Sequence, residues 1–194
     1  MTSTTDFDES IFTNARTHRQ FLNAEMTDDE IKALYELTKF VPTASNLCPM
    51  RVSFARSKKA KDKVADAVAE GNKAKVTSAS VTAIIAYDTA FADYIEILAP
   101  HMDAASFRNQ PQATLEEVAK ENTWLYAGFF ITAARSLGYD CGPMSGFDKE
   151  KINAAFYDDS SWRSTLLINL GHGDPQSLHP RGKRLRFAEA CQIL

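Results

Sequence analysis

The chain has 194 residues, of which 44% are apolar and 24% are charged, and its formal net charge is −3. This composition is ordinary for a globular protein, and the length suits one domain with a sizeable core. The charge provides no basic field, which argues against nucleic acid as a partner.

The cysteines and the ends of the chain bear on where the protein works. Cys48, Cys141 and Cys191 are widely separated and odd in number, which argues against a disulfide framework and favours a reducing, cytoplasmic setting. The N-terminus lacks the basic and apolar regions of a signal peptide, and residues 1–7 are expected to form a flexible tail. No apolar run approaches the roughly 20 residues that span a bilayer, so no membrane partner is expected.

Helical patterns dominate the first quarter of the chain. A short helix is expected in "DESIFTNART", and a stronger one is predicted in "TDDEIKALYELTKF". In the second segment Thr27 and Glu30 form a capping-box pattern, in which each side chain can bind a backbone N–H of the other residue. This helix should end near Val41, because Pro42 disfavours the α conformation in the residue before it.

Further along, apolar patterning predicts a sheet and more helices. Strands are predicted in "RVSFARS", "SVTAIIAYD" and "RSTLLINLGHGD", and a helix that ends at Gly71 is predicted in "SKKAKDKVADAVAE". Residues 91–115 are expected to be irregular. Another helix is predicted in "FDKEKINAAF", with Asp148 as its cap.

The longest predicted helix is "TLEEVAKENTWLYAGFFITAARSLGYD", which Gly138 can terminate. Its middle, Trp124–Ala134, is apolar on nearly all sides and is expected to be buried on more than one side. A second copy of the chain could bury one of these faces. We find no repeats and no linker. The predicted fold class is α+β: a single domain over residues 1–194, with a central sheet and helices packed around it.

Two chemistries are poorly supported by the residues. The four histidines show no HxxxH or HxH spacing and no paired cysteine, which argues against a metal site. A thiolate nucleophile at Cys48 would follow the end of a helix, where the helix dipole disfavours an anion. Arg51 and His18 could activate it, although the sequence does not bring them close.

Basic clusters near the two ends favour a phosphate site instead. "ARTHRQF" contains Arg16, Thr17, His18 and Arg19, and "RGKRLR" contains Arg181, Lys183, Arg184 and Arg186. If the two clusters converge, arginine forks can bind a phosphate monoester; if they do not, each is a solvated charged face. The chain contains neither GxGxxG nor GxxxxGK[ST], so a Rossmann or P-loop cradle is not expected.

Two proline-containing segments, "FVPTASNLCPMRV" and "CGPMSGFD", remain open between two interpretations. Both place small residues and backbone donors beside buried elements. They could be two tight turns, or they could line a planar polar ring.

Six segments in this order, "ARTHRQF", "PTASNLCP", "GNKAK", "GPMSGFD", "NLGHGD" and "KRLRF", resemble the FMN-dependent nitroreductase family over nearly the whole chain. Within that family the sequence is most similar to the branch that includes malonic semialdehyde reductase, of the 3-hydroxypropanoate dehydrogenase type. The resemblance implies a nitroreductase-like fold with a mostly antiparallel sheet, in an interlocked homodimer with FMN at the interface.

The resemblance also implies roles for individual residues. The phosphate would be bound by Arg16, Thr17, His18, Arg19 and Arg184. The flavin ring would be contacted from the partner subunit by Pro42, Thr43, Ala44 and Asn46. The polar edge of the ring would face Asn72 and Lys75, and its other side would be lined by Pro143, Met144, Ser145 and Gly146. Lys75 would stabilise the negative charge of the reduced ring, and no residue would act as a catalytic acid.

The implied activity is ping-pong hydride transfer from NADPH or NADH, through FMN, to a small acceptor such as a semialdehyde, a nitroaromatic compound or a quinone. Three residues depart from the family pattern: Cys48 stands where many members have glutamine, Ser145 where many have an acidic residue, and Gly182 where some have lysine. Two alternatives stay open, a thiol enzyme built on Cys48 and a flavin-binding protein without catalysis.

Overall fold

A computed structural model describes residues 8–194. The expectation for residues 1–7 therefore lies outside the described part of the chain. Four strands form one sheet in the order β1-β2-β4-β3, and every neighbouring pair is antiparallel. The strands are β1 (Met50–Ala55), β2 (Val81–Asp88), β3 (Asp140–Met144) and β4 (Trp162–Gly171).

Helices surround this sheet. They are a π-helical turn (Glu9–Thr13), α1 (Asp28–Thr38), α2 (Lys58–Ala65), α3 (Glu70–Ser78), α4 (Ile95–Leu98), α5 (Ala104–Arg108), α6 (Gln112–Ser136), α7 (Lys149–Phe156) and α8 (Phe187–Ala190). Short 3₁₀ turns lie at Ala44–Asn46, Phe91–Tyr94 and Pro175–Ser177. The predicted α+β class and antiparallel sheet are confirmed.

Local signals placed several boundaries correctly. Thr27 and Glu30 form both halves of the capping box at the start of α1. The Asp148 carboxylate accepts a hydrogen bond from the Lys151 N–H and caps α7. Gly138 follows α6 with φ of +86°, a conformation that favours glycine.

Two predictions about the elements were wrong, and one strand was missed. β3 was not predicted as a strand. The helix expected to end at Gly71 is two helices, α2 and α3, with Gly71 inside the second. The break lies where the Ala67 carbonyl accepts from the Asp148 N–H at 2.8 Å and Val68 pairs with Phe147, because these contacts take the backbone out of the helix. Residues 91–115, expected to be irregular, contain α4 and α5.

The sheet is covered on both faces because β2 alternates its side chains between two clusters. Ile85 packs with Leu34 of α1 and Phe130 of α6 on one face. Ile84 packs on the other face with Val64 of α2 and Ile152 of α7. Every residue of β2 is buried, as expected for a central strand.

Within one chain, α6 is buried on one face only. Tyr126, Phe130 and other residues at helical spacing point into the core. Trp124, Leu125 and Phe129 remain 46–48% exposed. Burial of α6 on more than one side is therefore absent from the single chain, and an apolar face is left uncovered. No helix in residues 8–194 is long and apolar enough to cross a membrane.

Candidate cofactor site

The two basic clusters lie side by side because the C-terminal segment packs along the N-terminal one. Phe21 pairs with Gly173 in an isolated antiparallel bridge. The Ser177 hydroxyl accepts hydrogen bonds from the backbone N–H groups of Arg19 and Gln20, at 3.1 and 3.2 Å. Arg181 donates to the Ala15 carbonyl at 3.4 Å. The two basic clusters therefore converge, as a phosphate site requires.

A cavity of about 300 Å³ lies between these segments. Its polar lining consists mainly of positively charged side chains, and no carboxylate of the described chain lines it. The lining includes Arg16, Thr17, Arg135, His179, Arg181 and Arg184. Across residues 8–194 none of these four arginines forms an ion pair. An anion would satisfy this arrangement, because guanidinium groups bind oxyanions through paired N–H donors.

Arg135 was missed by the sequence analysis. It lies in the last turn of α6, inside a segment whose apolar pattern indicated only core packing. A basic residue amid that apolar run was the available signal, but nothing in the sequence connects residue 135 to residue 16 or 184.

His18 and Arg19 do not line this cavity. His18 is only 6% exposed, and its Nδ1 lies 3.5 Å from the Asp140 carboxylate. Its ring packs so closely on Gly173 that a Cβ there would lie 2.1 Å from ring atoms. Arg19 contacts the His179 ring, which does line the cavity. Any contribution of His18 to ligand binding must therefore pass through its neighbours.

The segment before β1 forms a tight turn with unusual backbone angles. Ser45, Asn46 and Cys48 have φ of 48°, 58° and 42°, the left-handed region that side chains disfavour. The turn is tied down by the Ala44 N–H, which donates to Asn122 of α6 at 2.7 Å. Strain of this kind persists where surrounding contacts enforce it, and it clusters at functional sites.

In the single chain Asn46 is already engaged, because its amide donates to the Leu98 carbonyl at 2.8 Å. Pro42 is exposed at the start of the turn, and Thr43 accepts from the Cys48 N–H at 3.1 Å. These residues do not line the arginine-lined cavity.

The contacts of Cys48 and Cys141 do not favour a thiolate at either residue. The Cys48 thiol donates to the Asn46 side chain at 3.4 Å. Arg51, one of its two candidate activators, is occupied by the Cys48 carbonyl at 3.0 Å and by Asp88 at 2.7 Å. Burial raises the pKa of the Cys141 thiol to about 12, which keeps it protonated.

Asn72 and Lys75 form a pair on α3, where the Lys75 ammonium donates to the Asn72 side chain at 2.8 Å. The Val68–Phe147 bridge holds the start of α3 near the loop that follows β3. In that loop Ser145 and Gly146 are exposed. The contact between α3 and this loop is therefore a backbone one, made by Val68 just before the helix and by Phe147 just after Gly146.

Comparisons with known proteins show to which family this chain belongs. The family model described as "Nitroreductase family" matches residues 13–172. The chain belongs to the nitroreductase family. A Ralstonia nicotianae protein, provisionally named NADH dehydrogenase/NAD(P)H nitroreductase, is 42% identical over 96% of this chain and 95% of its own length.

Solved structures agree with the nitroreductase fold. A Bacillus subtilis protein described provisionally as a nitroreductase has a TM-score of 0.87 at 23% identity, with 99% of this chain and 100% of that chain covered. An Exiguobacterium sibiricum protein, likewise provisionally a nitroreductase and solved in complex with FMN, has a TM-score of 0.84 at 20% identity, covering 100% and 99% of the two chains.

The nitroreductase fold brings part of the expected site together within one chain. Arg16, Thr17 and Arg184 share the arginine-lined cavity. On β3, Pro143 is exposed and Met144 is buried, ahead of the Ser145–Gly146 loop. The turn at residues 42–46 is anchored elsewhere, on α6 and beside Leu98.

Proposed function

We propose that this nitroreductase-family chain is an FMN-dependent NAD(P)H oxidoreductase that reduces a small acceptor. The observation that carries the proposal is the cavity with four arginines and, among the described residues, no carboxylate. The FMN in the Exiguobacterium sibiricum neighbour and the NAD(P)H nitroreductase name of the Ralstonia nicotianae relative support it.

The cavity fits a phosphate monoester by charge and by donor type. FMN ends in such a group, which carries close to two negative charges at neutral pH. Arg16 and Arg184 would bind it through guanidinium donors, and Thr17 would add a hydroxyl. Arg19 would support these contacts indirectly, through the ring of His179. His18 would do so through its neighbour Asp140.

When bound, FMN supplies hydride transfer, which none of the protein's own side chains can perform. The work left to this chain is to hold the ring, exclude water and stabilise negative charge. Lys75, held by Asn72, would supply the positive charge. Backbone N–H groups of the loop at Ser145 and Gly146 would donate to the ring, beside Pro143 and Met144.

A homodimer would complete the site. Trp124, Leu125 and Phe129 leave an apolar face of α6 uncovered, and residues 179–194 are exposed throughout in the single chain. A second copy would bury these surfaces. In that arrangement Pro42, Thr43, Ala44 and Asn46 would reach the flavin of the partner, which accounts for their distance from the arginine-lined cavity.

For the acceptor, we propose a short semialdehyde such as malonic semialdehyde, reduced at the expense of NADPH or NADH. The support is the resemblance of the "ARTH", "GPMSGFD" and "RLRFAEAC" segments to that branch of the family. Nitroaromatic compounds and quinones are the competing acceptors. Comparing kcat/KM for the three classes with the same reductant distinguishes them, and a preference for quinones would remove the semialdehyde assignment.

The purified protein tests the central proposal directly. It should be yellow, and NADPH or NADH added without oxygen should bleach it. A colourless protein inactivated by Cys48→Ser would instead support a thiol enzyme, and a yellow protein that neither reductant bleaches would support a flavin-binding protein without catalysis.

Phosphate recognition has its own test. Arg16→Ala and Arg184→Ala should each weaken FMN binding by about 1.5–3 kcal/mol, the usual contribution of a hydrogen bond to a charged group. Riboflavin has no phosphate, so its affinity should not change. A parallel loss of riboflavin affinity would mean that the two arginines act through the fold.

A further inference from the structure

Arg135 reaches the arginine-lined cavity from a different kind of element than the other arginines. Arg16, Arg181 and Arg184 lie on segments without regular secondary structure, whereas Arg135 belongs to the last turn of the 25-residue helix α6. One of its N–H groups donates to the Ile11 carbonyl at 2.9 Å. Ile11 is fully buried, so this contact fixes the guanidinium to the core.

The remaining donors of Arg135 have no other hydrogen-bond partner within the described residues. A guanidinium carries five N–H groups, and the Ile11 carbonyl uses one direction of the fork. The C-terminal end of α6 favours a cation there, because its free carbonyls carry partial negative charge. The side chain is thus held in place while most of its donors stay available to a ligand.

We propose that Arg135 is a phosphate-binding residue of the cofactor site. This inference rests on the proposed function and deepens it. Arg135 would bind the terminal phosphate together with Arg16 and Arg184. Since its position is set by a core helix, it loses little freedom on binding, and preorganised groups of this kind give affinity efficiently.

A phosphate role also implies a preference among flavins. A monoester dianion can use more guanidinium groups than the diester of a dinucleotide, which carries one charge on each phosphate. Arg135 therefore favours FMN over FAD, and it contributes nothing to riboflavin.

The test uses the apoprotein and three variants. Arg135→Met removes the charge and keeps the stem, Arg135→Lys keeps the charge without the fork, and Arg163→Met is the matched control. Arg163 is an exposed arginine whose recorded hydrogen bonds are to the backbone carbonyls of Ser160 and Trp162. Dissociation constants for FMN, riboflavin and FAD are measured by quenching of flavin fluorescence.

For Arg135→Met we expect FMN affinity to fall by about tenfold to hundredfold, as for loss of a charge-assisted hydrogen bond. Riboflavin affinity should change less than about twofold, and the preference for FMN over FAD should shrink. Arg135→Lys should lose less, and Arg163→Met should match the wild type. Unchanged FMN affinity, or an equal loss for riboflavin, would overturn the proposal.

Inorganic phosphate keeps the test independent of flavin. Phosphate that binds only the folded protein raises the melting temperature, so it should stabilise the wild-type apoprotein and stabilise Arg135→Met less. If Arg135→Met does not fold, Arg135→Lys is compared in its place. A wild type that binds no FMN but is stabilised by phosphate through Arg135 would contradict the proposed function alone. A wild type that binds FMN without help from Arg135 would contradict this inference alone.

Discussion

Gly173→Ala should destabilise the protein through one contact. A Cβ at residue 173 would lie 2.1 Å from Cγ and Nδ1 of His18 and 2.5 Å from its Cδ2. The ring is 6% exposed and lies beside Asp140, so it cannot move freely into solvent. The φ of Gly173 is outside the left-handed region, so space rather than backbone conformation requires glycine.

Overpacking of this kind costs about 1–3 kcal/mol. A change of 1 kcal/mol shifts Tm by about 2–4 °C in a chain of this size, so Gly173→Ala should lower Tm by about 2–12 °C. Because His18 lies between Thr17 and Arg19, displacement of its ring should also weaken FMN binding.

Thermal unfolding of four proteins measures the effect: wild type, Gly173→Ala, His18→Ala and the double variant. Once His18 is alanine, the added Cβ meets no ring, and Gly173→Ala should cost less than about 0.5 kcal/mol. Gly71→Ala is the control, since a Cβ at that helical glycine meets nothing within 4 Å and should be neutral or stabilising. An equal cost of Gly173→Ala in both His18 backgrounds would refute the reasoning.

Three further predictions concern α3, α1 and α6. Lys75→Met should make the flavin reduction potential more negative by a few tens of millivolts, where about 30 mV corresponds to about 1.4 kcal/mol. The control in the redox titration is Lys73→Met, at a partly exposed lysine whose ammonium lies 2.8 Å from the Glu70 carboxylate. Equal potentials in the two variants and the wild type would show that Lys75 does not act on the flavin. Backbone and side-chain hydrogen bonds lower the pKa of Glu30 to about 2, so its contribution to stability is present above about pH 4.5 and is lost as the pH falls toward 2. Acid unfolding curves should show that Glu30→Gln lacks this part of the pH dependence, and identical curves would contradict the assignment. Asn122→Leu should destabilise by about 1–3 kcal/mol, because the Ala44 N–H loses its acceptor, whereas Asn122→Asp should be milder in chemical denaturation; equal losses would mean that the acceptor is unimportant.

Sequence reasoning worked where the determinant was local. The capping box of Thr27 and Glu30 and the buried strand β2 could be predicted from neighbouring residues alone, and both are confirmed. β3 was missed because Gly142 and Pro143 are poor strand formers, and its position comes from pairing with β4. Gly71 was misplaced as a helix end because the break depends on Phe147, which is distant in sequence.

In the candidate site, too, local features could be predicted and distant contacts could not. The sequence revealed two basic clusters, but their convergence depends on contacts between residues more than 150 positions apart, such as Arg19 and Ser177. The resemblance to a family supplied most of the expected site residues, and it did not supply Arg135, which lies in the last turn of α6. The buried position of His18 was also beyond reach, since it follows from packing on Gly173.

Helix α6 contacts two separate parts of the candidate site. Asn122 holds the strained turn through Ala44, and Arg135, 13 positions later, reaches the arginine-lined cavity. At 1.5 Å per residue, one rigid rod of about 20 Å fixes the spacing between them. In the proposed dimer the turn would serve one flavin and the cavity the other. A single helix would then position residues of both flavin sites, so a shift of α6 would disturb the two sites together.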